Sequence, residues 1–267
     1  MEAMPDKAAI ADFQRDGAIV LSGAFTDWVE RLREGVARNM AAPSADVRLY
    51  RNADGSGLFF GDYCNWDRIP EYRAFVFESD AGRIAAALMQ SRTARLFHEH
   101  VLVKEPGTDV PTPWHHDQPY YNVDGNQNVS LWLALDPVPA EVAVEFVAGS
   151  HYWGRWFRPE RFNRTALYDD DRMSPVPDID GHRANFSILS WALEPGDCVA
   201  FHFLTLHGAP GTKGAKHRRR GFSTRWIGDD ARFAVRKGPT SPPFRGVTLK
   251  PGQPMDAPEF PLVFGGS

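Results

Sequence analysis

Residues 111–121 read PTPWHHDQPYY, and the polar residues at the centre of this stretch decide how the rest of the chain is interpreted. His115, His116 and Asp117 follow one another between aromatic residues and prolines. In a β-strand, residues i and i+2 project to the same face, so we expect His115 and Asp117 to point together and His116 to point away. An imidazole and a carboxylate on one face supply two ligands of a 2-His-1-carboxylate metal site.

The third ligand must come from a distant part of the chain, and residues 201–211, FHFLTLHGAPG, contain the candidate. If this stretch is one regular strand, His207 shares a face with Phe201, whereas His202 lies on the opposite face. His207 precedes Gly208 and a Pro-Gly turn, so we expect it at a strand end that opens on a cavity. A triad of this type leaves half of an octahedral metal free, which suits Fe(II) oxygenases.

A run of arginines follows, in the stretch HRRRGFSTRW (217–226). A chelating cosubstrate with a distal carboxylate needs a fixed cation, and arginine supplies one that is planar, bidentate and always charged. Strand alternation puts Arg219 on one face and Arg218 and Arg220 on the other. We expect one of the three to point into the interior of the fold.

The composition indicates an ordinary globular protein. Hydrophobic residues make up 43% of the 267 residues, and the net charge of −4 gives no reason to expect nucleic-acid or membrane binding. The acidic N-terminal stretch lacks the apolar segment of a secretion signal. Only two cysteines are present, so we expect a reducing, cytoplasmic location. Nothing in the sequence indicates the oligomeric state.

Secondary-structure patterns change along the chain from helical to β. Helices are predicted at 7–15, at 26–40 with Thr26 as N-cap, and at 79–91 with Ser79 as N-cap. Strands are predicted at 17–23, 94–104, 129–138, 144–151, 197–208 and 219–228, and irregular segments at 41–66 and 152–186. We therefore predict one domain over 1–267, mainly β with flanking helices. It comprises a helical part at 1–92, a β core at about 93–230 and an extended tail at 238–267.

Several motifs together resemble the phytanoyl-CoA dioxygenase family of Fe(II)/2-oxoglutarate-dependent oxygenases. They are FQRDGAIVLSGAF (13–25), HVLVKEPG (100–107), TPWHHDQPYYNVDG (112–125), VSLWLALDPV (129–138), EFVAGSH (145–151), LEPGDCVAFHFLTLHGAPG (193–211) and the arginine run. The resemblance implies a double-stranded β-helix, which is a cupin-like jelly-roll barrel with iron at one mouth. It also implies His115, Asp117 and His207 as the iron ligands.

The resemblance extends to a binding site for the cosubstrate 2-oxoglutarate. Arg219 matches the family arginine that holds the distal carboxylate, and Arg218 stays an alternative because the spacing is one residue longer than expected. Lys104 and Trp132 match family positions that line the site. Ala209 stands where the family often has a serine that helps to hold 2-oxoglutarate.

The implied activity is hydroxylation of a small organic substrate, with 2-oxoglutarate and O2 converted to succinate and CO2 and with ascorbate as an optional reductant. Asp117 argues against a halogenase, because halogenating relatives lack this carboxylate. His98 and His100 are expected to be structural or surface residues. Candidate residues of the substrate pocket are Trp114, His116, Tyr120, Tyr121 and Trp226. A non-enzymatic small-molecule-binding barrel and a zinc-dependent hydrolase stay open as alternatives.

Overall fold

A computed structural model describes residues 4–160, 165–168, 170–212 and 217–265. Within these ranges the helices are α1 (Lys7–Asp16), α2 (Val29–Ala41), α3 (Pro70–Glu78) and α4 (Ala81–Met89). The strands in the first half of the chain are β1 (Ala18–Leu21), β2 (Arg48–Tyr50), β3 (Phe59–Tyr63), β4 (Ala94–Lys104), β5 (Thr112–His115), β6 (Val123–Asp124) and β7 (Asn128–Ala134). The strands in the second half are β8 (Glu145–Val147), β9 (Trp156–Phe157), β10 (Met173–Ser174), β11 (Ile188–Ser190), β12 (Cys198–Phe201), β13 (His207–Ala209), β14 (Arg219–Ile227), β15 (Arg232–Phe233) and β16 (Leu262–Phe264).

Two antiparallel sheets make up most of the β part, and two further two-stranded sheets pair β9 with β10 and β6 with β15. The large sheet has the order β1-β12-β7-β14-β4-β3-β2, with β16 added beside β4, and the small sheet has the order β11-β8-β13-β5. The sheets contact each other through side chains such as Phe146 of β8 and Phe201 of β12, whose ring centroids are 5.2 Å apart. The predicted jelly-roll architecture is confirmed, but the two main sheets of the described strands are separate and do not form one closed barrel.

Helices cover one face of the large sheet. Phe222 of β14 packs against Tyr72 and Phe75 of α3, with ring centroids 4.7 and 5.4 Å apart. Trp226 lies on this same face and is fully buried in the core under the helices. The prediction of Trp226 as a pocket residue is therefore wrong, because strand alternation turns its indole toward the helices and away from the cavity.

The N-terminal part contains more structure than its sequence pattern indicated. Helix α3 and the fully buried strand β3 were not predicted, because aromatic residues fill both segments and obscure any helical or alternating period. Thr26 does not cap a helix: it begins a 3-10 turn, and its hydroxyl donates a hydrogen bond to the carbonyl of Gly23. Asp80, one residue after the predicted Ser79, is the N-cap position of α4.

The predicted strand at 197–208 is broken in the structure. Its first part, β12, lies in the large sheet, and its last part, β13, lies in the small sheet. Between them the chain crosses from one sheet to the other, and the amide of His202 donates to the carbonyl of Gly17 over a distance of 2.9 Å. The assumption of one regular strand behind the choice of His207 is thus wrong, although His207 does face the cavity.

The C-terminal segment is packed onto the fold. Strand β16 pairs with β4, and Phe260 is fully buried against Phe97 and Phe244 at centroid distances of 5.5 and 5.0 Å. The last two residues of the predicted tail lie outside the described residues. Within the described part of the chain, no helix combines the length and the apolar character needed to cross a membrane.

Replacing Phe260 with alanine tests whether this segment is part of the core. Removing a buried phenylalanine leaves a cavity, so Phe260→Ala should lower the free energy of unfolding by about 3–5 kcal/mol in urea titrations. Leu262→Ala is the control, because Leu262 is 37% exposed and should change stability by only about 0.5 kcal/mol. Equal and small effects of both substitutions would show that the segment does not contribute to the core.

Candidate metal centre and the cavity around it

Two histidines face each other across neighbouring strands. His115 ends β5, and the antiparallel register of β5 with β13 places His207 directly opposite it, with ring centroids 4.2 Å apart. His115 donates from Nδ1 to the carbonyl of Pro113 at 2.8 Å, and His207 donates from Nδ1 to the carbonyl of Thr205 at 2.9 Å. Because a carbonyl only accepts, each ring carries its proton on Nδ1, and each Nε2 lone pair is free for a metal.

Asp117 completes the group from a position just beyond β5. Its backbone is helical (φ −75°, ψ −37°), and its amide donates to the carbonyl of Phe203 at 2.7 Å. Its Oδ1 lies 3.6 Å from Nε2 of His115 and 3.9 Å from Nε2 of His207. The end of the strand, and not strand alternation, therefore aims this carboxylate at the two imidazoles.

The group has the donors and the protonation states that a divalent metal requires. One ligand atom from each of His115, Asp117 and His207 lies within 4.8 Å of the other two. Burial alone would raise the pKa of Asp117, but His115, His207 and Arg225 together hold it well below its usual range. Burial, reinforced by His115, lowers the pKa of His207 to about 3. At neutral pH the centre therefore offers a carboxylate and neutral imidazole nitrogen, and Oδ2 of Asp117 has no hydrogen-bond partner among the described residues.

His116 is turned away from this centre, as the alternation argument predicts. Its Nε2 accepts a hydrogen bond from the amide of Phe157 at 2.9 Å, and its ring packs on that phenylalanine at 5.1 Å. Burial lowers the pKa of His116 to about 4, so the ring stays neutral. His116 does not line the cavity, and its prediction as a substrate-pocket residue is wrong.

One cavity contains the metal centre and most of the other predicted site residues. Aromatic side chains form much of its wall, including the predicted Trp114, Tyr120 and Tyr121. Alternate residues of the large sheet supply the rest of the wall, namely His98, His100, Leu102 and Lys104 from β4, Trp132 from β7, and Arg219 and Arg225 from β14. The face of the large sheet opposite the helices thus forms the floor of the site.

The far end of the cavity is cationic. Arg219 lies opposite Lys104 in the register of β14 with β4, and it donates to the carbonyl of Val142. Burial and the nearby arginine lower the pKa of Lys104 to about 7, and burial lowers the pKa of Arg219 to about 10. Arg218 is exposed on the other face and pairs with Glu105 at 2.9 Å, so it does not reach the cavity.

Trp132 of β7 pairs with Ser223 of β14, and its indole extends over Gly221. A Cβ atom at residue 221 would approach the indole of Trp132 to 2.5 Å, so only glycine leaves room for the ring there. The indole therefore forms a wall next to the cationic end of the cavity, where Lys104 and Arg219 lie.

Three cavity residues were missed or misjudged in the sequence. Arg225 is buried, and its Nη2 lies 3.8 Å from Oδ2 of Asp117. His98 and His100, expected to be structural or surface residues, line the cavity from β4. The signal was present, because Arg225 follows Arg219 at an even spacing along one strand and therefore shares its face.

Comparisons with known proteins agree with this architecture. The model of the phytanoyl-CoA dioxygenase (PhyH) family matches residues 13–221. The non-heme alpha ketoglutarate dependent carbocyclase SnoK from nogalamycin biosynthesis is similar in structure, with 21% identity, coverage of 97% of this chain and 96% of that chain, and a TM-score of 0.76.

Two further solved structures show the same likeness. The epimerase SnoN in complex with Fe3+, alpha ketoglutarate and nogalamycin RO has 21% identity, coverage of 97% and 100%, and a TM-score of 0.75. EctD from S. alaskensis with 2-oxoglutarate and 5-hydroxyectoine has 19% identity, coverage of 94% and 85%, and a TM-score of 0.69. No curated protein sequence matches the chain. At these identities the solved structures establish a shared fold.

Substitution of each ligand candidate tests the metal centre. His115→Ala, Asp117→Ala and His207→Ala should each weaken divalent-metal binding by more than the roughly 10–100-fold that loss of an outer partner costs, because each removes a direct donor. Calorimetric titration of the apoprotein with Fe(II) under argon measures the affinity.

The control is His116→Ala, next to the ligands but turned away. It should keep its metal affinity and lose about 1–3 kcal/mol of stability, because the amide of Phe157 loses its acceptor. If His116→Ala abolished metal binding and His115→Ala retained it, the ligand set would be wrong.

Proposed function

The chain belongs to the phytanoyl-CoA dioxygenase family, and on that premise we propose that it is an Fe(II)- and 2-oxoglutarate-dependent dioxygenase that hydroxylates a small organic substrate. One observation carries this proposal: a carboxylate and two imidazoles converge at one point of a cavity whose far end holds a partly buried arginine. The cytoplasmic location predicted from the cysteine count stays a prediction.

In this proposal His115 and His207 bind Fe(II) through Nε2, and Asp117 binds it through Oδ1. Two neutral nitrogens and one carboxylate on one side of the ion leave the opposite side open. When bound there, Fe(II) with 2-oxoglutarate and O2 supplies the oxidising chemistry, which releases succinate and CO2. The hydrogen bonds from both Nδ1 atoms keep the rings in the tautomer that a metal needs.

Arg219 is proposed to bind the distal carboxylate of 2-oxoglutarate. It lines the cavity and has no carboxylate partner among the described residues, whereas Arg218 is exposed and already paired with Glu105. A partly buried guanidinium gains by pairing with an anion, and its planar fork fits a carboxylate. Lys104 and Trp132 enclose the same end, and Ala209 adds no hydrogen bond there, because it has no hydroxyl.

Two alternatives remain in view. A zinc-dependent hydrolase uses similar metal ligands, but it has no need of the buried cationic end at Arg219 and Lys104. A non-enzymatic barrel that binds a small molecule would keep the cavity without turnover. The structurally similar proteins include a carbocyclase and an epimerase. The fold therefore does not fix the reaction, and hydroxylation is part of this proposal.

Substitution of the arginine tests the cosubstrate assignment. Arg219→Ala should weaken 2-oxoglutarate binding by about tenfold to a hundredfold while leaving Fe(II) affinity nearly unchanged, because a charge-assisted bidentate pair is lost. Anaerobic titration of the Fe(II)-loaded protein with 2-oxoglutarate measures this. Arg218→Ala is the matched control on the outer face, and a larger effect of Arg218→Ala than of Arg219→Ala would reverse the assignment.

Isotope labelling tests the reaction class. With Fe(II), 2-oxoglutarate and 18O2, the protein should form succinate that contains one labelled oxygen atom, slowly without substrate and faster when a metabolite pool contains the substrate. A hydrolase requires neither O2 nor an oxoacid, and a binding protein shows no turnover. Activity restored by zinc and not by iron, or no succinate with any metabolite pool, would contradict the proposal.

A further inference from the structure

A second arginine lies in the same cavity, beside the metal centre. Arg225 follows Arg219 by six residues on the same face of β14, which separates their Cα atoms by about 20 Å along the strand. Its side chain is 6% exposed. The inner edge of its guanidinium is held, because Nε donates to the hydroxyl of Tyr121 at 3.1 Å and Nη1 to the carbonyl of Ser223 at 3.4 Å.

The outer edge of this guanidinium is not fully used. Nη2 lies 3.8 Å from Oδ2 of Asp117, which is too far for a hydrogen bond, and it makes none to any other described residue. Asp117 is grouped with the two histidines as a candidate metal ligand, so its carboxylate is shared and does not pair with Arg225 alone. A buried guanidinium with open donors is expected to bind an oxygen that enters the cavity.

The distal carboxylate of the cosubstrate does not supply this oxygen in the proposed arrangement. A five-carbon oxoacid bound at the metal with its distal carboxylate on Arg219 extends toward the opposite end of β14. Arg225, beside Asp117 and about 20 Å along the strand from Arg219, is therefore open to a second molecule. The adjacent wall consists of Tyr63, Tyr120 and Tyr121, which suit a flat or apolar body.

The charge of the cavity also favours an anion. Its charged lining consists of Arg158, Arg219, Arg225 and Lys104 against Asp117 and Glu160. A divalent metal and a doubly negative oxoacid offset each other, so their binding leaves the balance of fixed charges around Arg225 unchanged. His100 adds a neutral partner, since burial and then Arg225 lower its pKa to about 3, and its ring is held edge-on by Tyr63 at 5.4 Å.

We propose that Arg225, assisted by His100, binds a carboxylate group of the substrate, and that the substrate is therefore a carboxylic acid with an apolar or aromatic body. The inference rests on the proposed function, because it assumes that 2-oxoglutarate occupies Arg219. Arg225 is then a specificity-determining residue: a neutral analogue of the same shape leaves the guanidinium without its anion. A thioester of such an acid is disfavoured for the same reason.

Equilibrium binding of matched probes tests this inference without turnover. The probes are 3-phenylpropanoate and cyclohexanecarboxylate, each paired with its primary carboxamide. They are titrated under argon into the Fe(II)-loaded protein with saturating 2-oxoglutarate, and the quenching of tryptophan fluorescence is followed. At least one acid should bind about tenfold or more tightly than its amide. Arg225→Gln should remove this preference by weakening acid binding and sparing amide binding, and Arg225→Lys should restore it in part.

Controls separate this role from other roles of Arg225. Arg218→Gln, on the outer face of the same strand, should keep the preference for the acid. If Arg225→Gln lowers metal affinity but keeps the acid-to-amide ratio, Arg225 only positions Asp117 and the inference is overturned. A preference that disappears when 2-oxoglutarate is added also overturns it, because the acid then occupied Arg219.

The wild-type protein provides a test that does not depend on folding of the variants. Equal affinity for acids and amides, or no binding of any acid at millimolar concentration, overturns the inference. None of these measurements requires O2, so failure of the proposed dioxygenase function would be seen separately, as absence of labelled succinate.

Discussion

The pairing of β5 with β13 is the interaction on which the site depends. It opposes His115 and His207 directly, and it can form only because the chain leaves the large sheet after Phe201 and enters the small sheet at His207. In the crossing segment, the carbonyl of Phe203 also accepts a hydrogen bond from the amide of Asp117. The same segment of backbone therefore positions all three candidate ligands. Loss of this pairing would separate the two histidines even if every helix stayed in place.

The large sheet has an apolar face under the helices and a face with charged side chains that lines the cavity. Phe222 and Trp226 point from β14 into the core beneath the helices, while Arg219 and Arg225 point from the same strand into the site. The hydrophobic face makes the strand rigid and dry on one side. The charged side chains on the other face are thereby held in fixed directions, and their burial makes anions their natural partners.

The candidate metal ligands and the cavity wall contribute to function in different ways. A 2-His-1-carboxylate centre with a partly buried arginine suits one type of cosubstrate chemistry, yet structurally similar proteins include a carbocyclase and an epimerase. A shared fold therefore leaves the outcome of the reaction to the walls. In this chain the wall beside the metal centre contains Arg225 and His100, which the metal centre does not require as ligands, and in the proposed function it is this part that selects the substrate.

Local patterns in the sequence predicted strand β4 from end to end and the alternation that separates Arg219 from Arg218, because these depend on spacing along the chain. They also singled out His115, Asp117 and His207 as candidate ligands, although the folded backbone and not regular alternation brings the three together. The tertiary structure alone decided that the stretch at 197–208 is broken, that Trp226 enters the core, and that His98, His100 and Arg225 meet beside Asp117. Alternation shows which residues share a face, but it does not show which face is covered by helices. Only the packing of the helices onto the large sheet makes one face core and leaves the other to form the site.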